Sequence, residues 1–190
     1  YLILVNYGVI GTWKYGLRYQ FWNQDYDVAT EALADAYSVE LDLDDLPANA
    51  GRVLYADGNG CRITVERVEQ YGEEYRVVFQ ADGVCSPAGG QLVSGCYNER
   101  AGKQTYSVTR SASLVTSLGG EVCGPGYYYL TTSMEESSNQ FGFYIFPLEL
   151  YEGGELAVAD ELAGQDGRVT VTVSGLTRLT TTRLPGRSLF

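Results

Sequence analysis

Residues 61–80, CRITVERVEQYGEEYRVVFQ, contain two runs of β-branched and aromatic residues separated by a polar turn around Gly72. Two such runs on either side of a glycine-containing turn predict an antiparallel hairpin. Three apolar residues of the first strand would then face three of the second: Ile63, Val65 and Val68 opposite Tyr75, Val77 and Phe79. This hairpin favours a β-rich body.

Short β-rich runs continue on both sides of the hairpin. On its N-terminal side, the tetrapeptide at 57–60, DGNG, predicts another hairpin turn, because glycine adopts positive φ at little cost. Further strands are expected at residues 104–118, 126–132, 141–150 and 168–174, of which the last, RVTVTVS, alternates valine with threonine. Short strands spaced by glycine-rich turns predict a mainly β protein with an antiparallel β-sandwich or barrel-like body.

Residues 25–39, DYDVATEALADAYSV, give the clearest helical signal in the chain. Asp25 or Asp27 can accept hydrogen bonds from the free N–H groups at a helix start, and four alanines supply high helix propensity. We therefore expect one short helix near residues 27–39, with Pro47 breaking the chain into a loop beyond it.

The first 24 residues are unusually apolar and aromatic, and we interpret them as an N-terminal assembly segment preceding a single disulfide-bonded body at 25–190. Residues 1–11, YLILVNYGVIG, are too short to cross a membrane by themselves. An apolar segment of this kind would be buried against other copies of the chain. The residues expected at that contact are Tyr1, Ile3, Val5, Tyr7, Val9 and Trp13.

Two conformations compete for residues 12–22, TWKYGLRYQFW. Strict alternation of aromatic with polar residues favours a strand, and the glycines make a helix costly. The alternative is a helix in which Trp13, Leu17 and Phe21 share one face.

The composition excludes several functions. The 190 residues include no histidine, which removes Ser-His-Asp and Cys-His nucleophile systems and the usual zinc sites. A net charge of −11 argues against nucleic-acid binding, and no catalytic motif is present, so we expect no enzymatic activity. The charge is uneven, with +2 over residues 1–24, −17 over 25–167 and +4 over 168–190.

Four cysteines have spacings that suit no zinc module, so disulfides formed outside the cytosol are expected. We predict the pairs Cys61–Cys85 and Cys96–Cys123, with Cys85–Cys96 and Cys61–Cys123 as the alternative. The chain has no N-x-S/T sequon and begins without methionine, so we expect a processed, exported prokaryotic protein.

Two further groups could bind ligands. Asp42, Asp44 and Asp45 carry carboxylates of the type that calcium prefers, although a solvated acidic loop is the favoured interpretation and no cofactor is otherwise expected. Tyr127 and Tyr129 would share one face of a strand and could stack on sugar rings, or could be ordinary sheet tyrosines.

Residues 1–39, an aromatic-led apolar segment at the start of the chain, resemble those of type IV pilins. The resemblance implies an α+β arrangement in which an N-terminal helix leads into a disulfide-bonded β domain, an alternative to the sandwich. This chain departs from that family where it has Val5 instead of a glutamate, and in the charges of Lys14 and Arg18; these departures leave room for assembly by strand donation.

The features together predict a structural subunit of an extracellular or cell-surface filament such as a pilus, whose partners are copies of itself. The alternative is a secreted carbohydrate-binding or adhesin module that binds surface glycans through tyrosines. A virus coat or decoration protein is a third candidate, although it would seldom need disulfides. Neither nucleic-acid binding nor a membrane span is expected within the chain.

Overall fold

The computed structural model describes residues 8–101, 105–132 and 139–185. Within these ranges the chain forms two α-helices and fifteen strands. The helices are α1 (Val9–Trp22) and α2 (Ala159–Gly164). The strands are β1 (Tyr26–Ala32), β2 (Tyr37–Asp42), β3 (Val53–Ala56), β4 (Arg62–Tyr71), β5 (Glu74–Asp82), β6 (Val84–Ser86), β7 (Gly89–Ser94), β8 (Cys96–Ala101), β9 (Thr105–Arg110), β10 (Ser113–Leu118), β11 (Glu121–Pro125), β12 (Tyr128–Thr132), β13 (Gln140–Tyr144), β14 (Arg168–Ser174) and β15 (Thr177–Arg183).

The strands assemble into four antiparallel sheets, so the prediction of a mainly β protein with a sandwich-like body is confirmed. Their strand orders are β1-β15-β7-β6, β11-β10-β14-β2, β12-β13-β5-β4-β3 and β8-β9. One continuous hydrophobic core joins the three larger sheets, with fully buried side chains such as Phe79, Phe141, Leu114 and Leu179.

A shared corner connects the first two sheets. The hairpin of β14 and β15 turns at Gly175, so that β15 lies in the first sheet and β14 in the second. β1 and β2 pass between the same two sheets beside this hairpin. The main-chain N–H of Leu33, between β1 and β2, donates a 2.8 Å hydrogen bond to the carbonyl of Leu176. Tyr128 closes this corner, because its hydroxyl donates towards the carbonyls of Gly95 and Ala112 at 3.1 and 2.5 Å.

The helix expected near residues 27–39 is wrong, because this region forms β1 and β2 with a short link at residues 33–36. Tyr37, Val39 and Leu41 alternate towards the core as strand residues do, and each of them has a partner in β14. Pairing with β14 and β15 therefore outweighs the helix propensity of the alanines.

The strand favoured for residues 12–22 is also wrong, since these residues belong to α1. Thr12, Gln20 and Phe21 are the buried residues of this helix. Gly16 interrupts it with φ 56 and ψ −141, values that side-chain-bearing residues rarely adopt. Trp13, before this break, is 87% exposed, whereas Phe21, after it, is buried.

The other strand predictions hold in part. The turn at 57–60 and the hairpin around Gly72 are confirmed, with Val65 opposite Phe79 and Val68 opposite Val77 across a bulge. The strand at 168–174 is confirmed as β14. The single strand expected at 104–118 is divided at residues 111–112, and the one expected at 141–150 ends at Tyr144 and gives way to a 3₁₀ helix, Leu148–Gly154.

Candidate assembly surface

The solvent-exposed surface of α1 carries aromatic and cationic side chains. Trp13, Tyr15 and Trp22 are 87%, 53% and 36% exposed, whereas a folded domain usually covers large aromatic side chains. Lys14 and Arg18 lie among them, and the Lys14 Nζ stands 5.0 Å from the Tyr15 ring centroid. We call these five residues the α1 face. It combines a net charge of +2 with three exposed rings.

The opposite side of α1 is fixed to the body by a buried polar network. Gln20 is fully buried, and its amide nitrogen donates to the Ser86 carbonyl at 2.6 Å. Its amide oxygen accepts a 2.5 Å hydrogen bond from the Thr181 hydroxyl. Thr12 lies at the edge of this network, 3.4 Å from the Gln20 nitrogen. Because buried polar groups need partners with defined geometry, this network fixes the orientation of α1 on β6 and β15.

A groove of about 360 Å³ crosses the exposed side of the helix, lined by Tyr15, Arg18, Tyr19 and Trp22. The Tyr19 ring lies over Gly11, where a Cβ would be 2.3 Å from the ring, and contacts the Tyr26 ring edge-on with centroids 6.1 Å apart. The groove therefore has a fixed floor and one cationic wall.

The predicted assembly residues fall into two groups. Tyr1, Ile3, Val5 and Tyr7 lie outside the described residues. Val9 is half-buried at the start of α1, and Trp13 is the most exposed large apolar side chain of the α1 face. The structure thus places Trp13 on an accessible surface.

The far end of the body is acidic. Asp44, Glu73, Glu149, Asp160 and Glu161 are exposed there, and none forms an ion pair with a residue that the structure describes. We call these five residues the acidic pole. In the sequence, residues 148–167 contain six acids and no base.

Neighbouring groups show that Asp44 and Glu73 of the acidic pole lie together. Burial and then the charges of Glu73 and Asp44 raise the pKa of Tyr75, so both carboxylates lie near one ring. Burial, reinforced by the charges of Glu74 and Glu73, raises the pKa of Tyr151 to about 12. Several elements thus direct negative charge to one end.

The α1 face and the acidic pole lie at opposite ends of the strands. β5 begins at Glu74, next to Glu73, and its last residues, Gln80–Asp82, line a groove beside α1. Nine residues of strand span about 27 Å. Strands β1 and β2 lead between the same two ends. Tyr26 of β1 pairs with Arg183 near α1, whereas Asp42 of β2 pairs with Arg168 at the other end.

A tyrosine–arginine cluster lies on the outer side of the five-stranded sheet, near the acidic pole. The Arg76 guanidinium carbon is 4.5, 5.0 and 5.3 Å from the ring centroids of Tyr129, Tyr144 and Tyr71. Glu74 pairs with Arg76 at 2.9 Å. Tyr71 is 73% exposed, so its ring remains accessible.

Tyr127 and Tyr129, the residues of the expected ligand platform, lie at the surface and in the tyrosine–arginine cluster. Tyr128 points into the core against Phe143, with ring centroids 4.5 Å apart, and Tyr129 joins the outer cluster. Tyr127 is exposed and donates to the Glu149 carboxylate at 3.2 Å; the charge of Glu149 raises the pKa of this tyrosine.

The calcium candidates are engaged within their own loop. The Asp42 carboxylate accepts hydrogen bonds from the main-chain N–H groups of Asp44 and Asp45 at 3.0 Å each. The Asp45 carboxylate caps the following 3₁₀ turn through the Ala48 N–H. Across the described ranges, no group of three acids, cysteines or histidines is placed to hold a metal ion.

The structure contains no disulfide and places the four cysteines as free thiols, so the two pairs expected from the sequence stay predictions. Cys61 is buried, whereas Cys85 is exposed in β6, 3.9 Å from the position of a Cβ on Gly16. The Cys96 sulfur lies 3.8 Å from the Gln140 carbonyl oxygen, whereas Cys123 lies in β11 of another sheet. The members of each predicted pair therefore have different surroundings.

Sequence reasoning missed the groups that hold these surfaces in place. The alternation of residues 12–22 makes Gln20 only a polar residue of a predicted strand, and no local pattern marks its burial. An ion pair between Arg178 and Asp57, at 2.9 Å, joins β15 to the turn between β3 and β4 and was likewise unforeseen. The Gln20–Thr181 and Arg178–Asp57 contacts each link residues more than 100 positions apart, a separation that no local motif can signal.

The comparisons give no relative for this chain: no family model, curated protein or solved structure matches it. In the described part of the chain, no helix is both long enough and apolar enough to cross a membrane.

Proposed function

We propose that this protein is a structural subunit of an extracellular filament and that it assembles through its N-terminal segment. The observation that carries the proposal is the α1 face, a helix surface with three exposed aromatic rings and two cations at the end of an acidic body. Tyrosine, tryptophan and arginine dominate the energetics of protein interfaces. Each apolar side chain buried there contributes about 1.5–3 kcal/mol.

The docking of α1 supports an assembly role. The Gln20 network fixes the helix, so the exposed rings need not be ordered when a partner binds. A preorganised surface loses less conformational entropy on association and binds more tightly for the same area. Residues 1–7, YLILVNY, immediately precede this surface and supply further apolar side chains.

Electron microscopy and sedimentation of the native protein test the proposal. We expect filaments or large assemblies from the native chain. Deletion of residues 1–11, or the substitution Trp13→Ser, should leave a folded, soluble body that no longer assembles. Val108→Ser is the matched control, because Val108 is 46% exposed on β9 and lies outside the α1 face. A native protein that stays monomeric would contradict the proposal.

A glycan-binding module is the second candidate, and the tyrosine–arginine cluster favours it. Exposed tyrosine rings beside charged side chains combine stacking with hydrogen bonding. Under this hypothesis the native protein is a monomer that binds oligosaccharides on a glycan array. Binding should be lost in Tyr71→Ala and retained in Trp13→Ser, the reverse of the dependence expected for the filament.

A further inference from the structure

We propose that successive copies pack head to tail, with the α1 face of one copy on the acidic pole of the next. This inference rests on the proposed filament function and names the surfaces that join its subunits. The partner is therefore a second copy of this chain.

Charge complementarity supports the pairing. Lys14 and Arg18 are exposed, and neither forms an ion pair within the described part of the chain. The five carboxylates of the acidic pole likewise form no ion pair within the described part of the chain, where the salt bridges involve other acids. Opposite charges brought together in this way direct encounter and suppress wrong registers.

The same charges disfavour contacts between two like surfaces. Two α1 faces in contact would bring four cations together, and two acidic poles would bring ten carboxylates together. Contact between unlike ends is the arrangement that avoids both repulsions. A contact between two different surfaces of one subunit generates a ring if the rotation between subunits closes and a filament if it does not.

Aromatic residues are present on both sides of the proposed contact. The groove on α1 is lined by Tyr15, Tyr19 and Trp22 with the Arg18 side chain as one wall. The opposite end carries Tyr71, which is 73% exposed and lies two residues before Glu73. An arginine that meets an aromatic ring beside a carboxylate gains both cation–π and ionic contacts.

The separation of the two surfaces excludes their meeting within one copy. They lie at opposite ends of β5, about 27 Å apart along the strand. Direct contact between Lys14 and the acidic pole must therefore join different copies. This makes the contact measurable on the unmodified protein.

Zero-length carbodiimide cross-linking of native assemblies is the first test. The chain contains two lysines, Lys14 and Lys103, so cross-linked peptides are simple to assign. We expect amide bonds between Lys14 and carboxylates of the acidic pole, above all Glu73 or Glu149. Lys14 cross-links confined to other carboxylates would overturn the head-to-tail contact.

A charge-swap pair is the second test. The variant Lys14→Glu/Arg18→Glu reverses the α1 face, and Asp44→Lys/Glu73→Lys/Glu149→Lys changes the net charge of the acidic pole from −5 to +1. Each variant alone should lose assembly at least about tenfold in pelleted protein at low salt, because like charges then meet. An equimolar mixture restores both contacts and should assemble as alternating copies.

The outcomes separate this inference from the proposed function. If the native protein does not assemble, the filament function fails and the contact fails with it. If the native protein assembles and either variant alone assembles as well as it does, the head-to-tail contact fails while the filament function stands. The same conclusion follows if a mixture of the two folded variants does not regain assembly. Circular dichroism establishes that each variant is folded, and the cross-linking result decides the matter if either is not.

Discussion

The Gln20 side-chain nitrogen donates a 2.6 Å hydrogen bond to the main-chain oxygen of Ser86, and this contact joins α1 to the edge strand β6. The two residues are 66 positions apart in the chain. Since Gln20 is fully buried, the contact is shielded from water and fixes the helix at a defined rotation. The direction in which Trp13 and Arg18 point therefore depends on one buried amide.

We expect Gln20→Ala to destabilise the protein by about 1–3 kcal/mol, because it leaves buried partners such as the Thr181 hydroxyl without hydrogen bonds. Urea unfolding measures this change. Gln24→Ala is the matched control, since Gln24 is exposed just after α1 and should change stability by less than about 0.5 kcal/mol. Equal effects of the two substitutions would contradict the role assigned to Gln20.

The Arg178–Asp57 pair predicts a component of acid sensitivity. Burial alone would raise the pKa of Asp57, but hydrogen bonds from the Cys61 and Asn59 N–H groups and from Tyr55, together with the Arg178 charge, lower it overall. A carboxyl whose pKa is lower in the folded state stabilises the fold above its unfolded pKa. This stabilisation is lost as the pH falls through the folded value.

Accordingly, Asp57→Asn should destabilise the protein at pH 7 by about 1–3 kcal/mol, and the difference from the native chain should shrink at a pH well below 4. Thermal unfolding across that pH range measures the effect. Asp27→Asn serves as control, because Asp27 is exposed on β1. A difference that is independent of pH would show that charge at Asp57 is not what stabilises the turn.

Tyr128 gives a test of the corner between sheets. Its hydroxyl bonds the carbonyls of Gly95 and Ala112, and burial raises its pKa far above the ordinary value. Tyr128→Phe should cost about 1–2 kcal/mol in unfolding free energy, because the Ala112 carbonyl loses the hydroxyl that donates to it. Tyr71→Phe removes a hydroxyl from an exposed ring and should be neutral. Similar costs for both would refute the account of the corner.

The part of the fold that the sequence predicts is the part encoded locally. The hairpin around Gly72 and β14 alternate with period two and are bounded by glycines, so neighbouring residues suffice to identify them. Residues 27–39 contain a competing local signal, alanine-rich helix propensity. Strand formation there depends on pairing with β14 and β15, some 130–155 positions away in the chain.

The same distinction applies to the candidate site. The positive charge of residues 1–24 and the negative charge of residues 25–167 are visible in the sequence, but the placement of the α1 face and the acidic pole at opposite ends of β5 depends on strand direction. The alternation around Trp13 and Tyr15 lies in a helix that Gly16 interrupts. That break is encoded by one glycine, whereas its effect on exposure depends on docking through Gln20.

The last prediction concerns the thiols. Cys85 is exposed, whereas Cys61 and Cys96 are 1% and 3% exposed. A disulfide reagent should therefore modify Cys85 rapidly in the native protein and reach Cys61 and Cys96 only after unfolding. Partial burial raises the pKa of the Cys85 thiol above its ordinary value, so the thiolate fraction and the reaction rate should still be rising at pH 9. Cys85→Ser should remove the fast phase. A Cys61–Cys85 disulfide predicts the opposite, namely no fast thiol until a reductant is added, and mass spectrometry of the unreduced protein would identify the linked peptides.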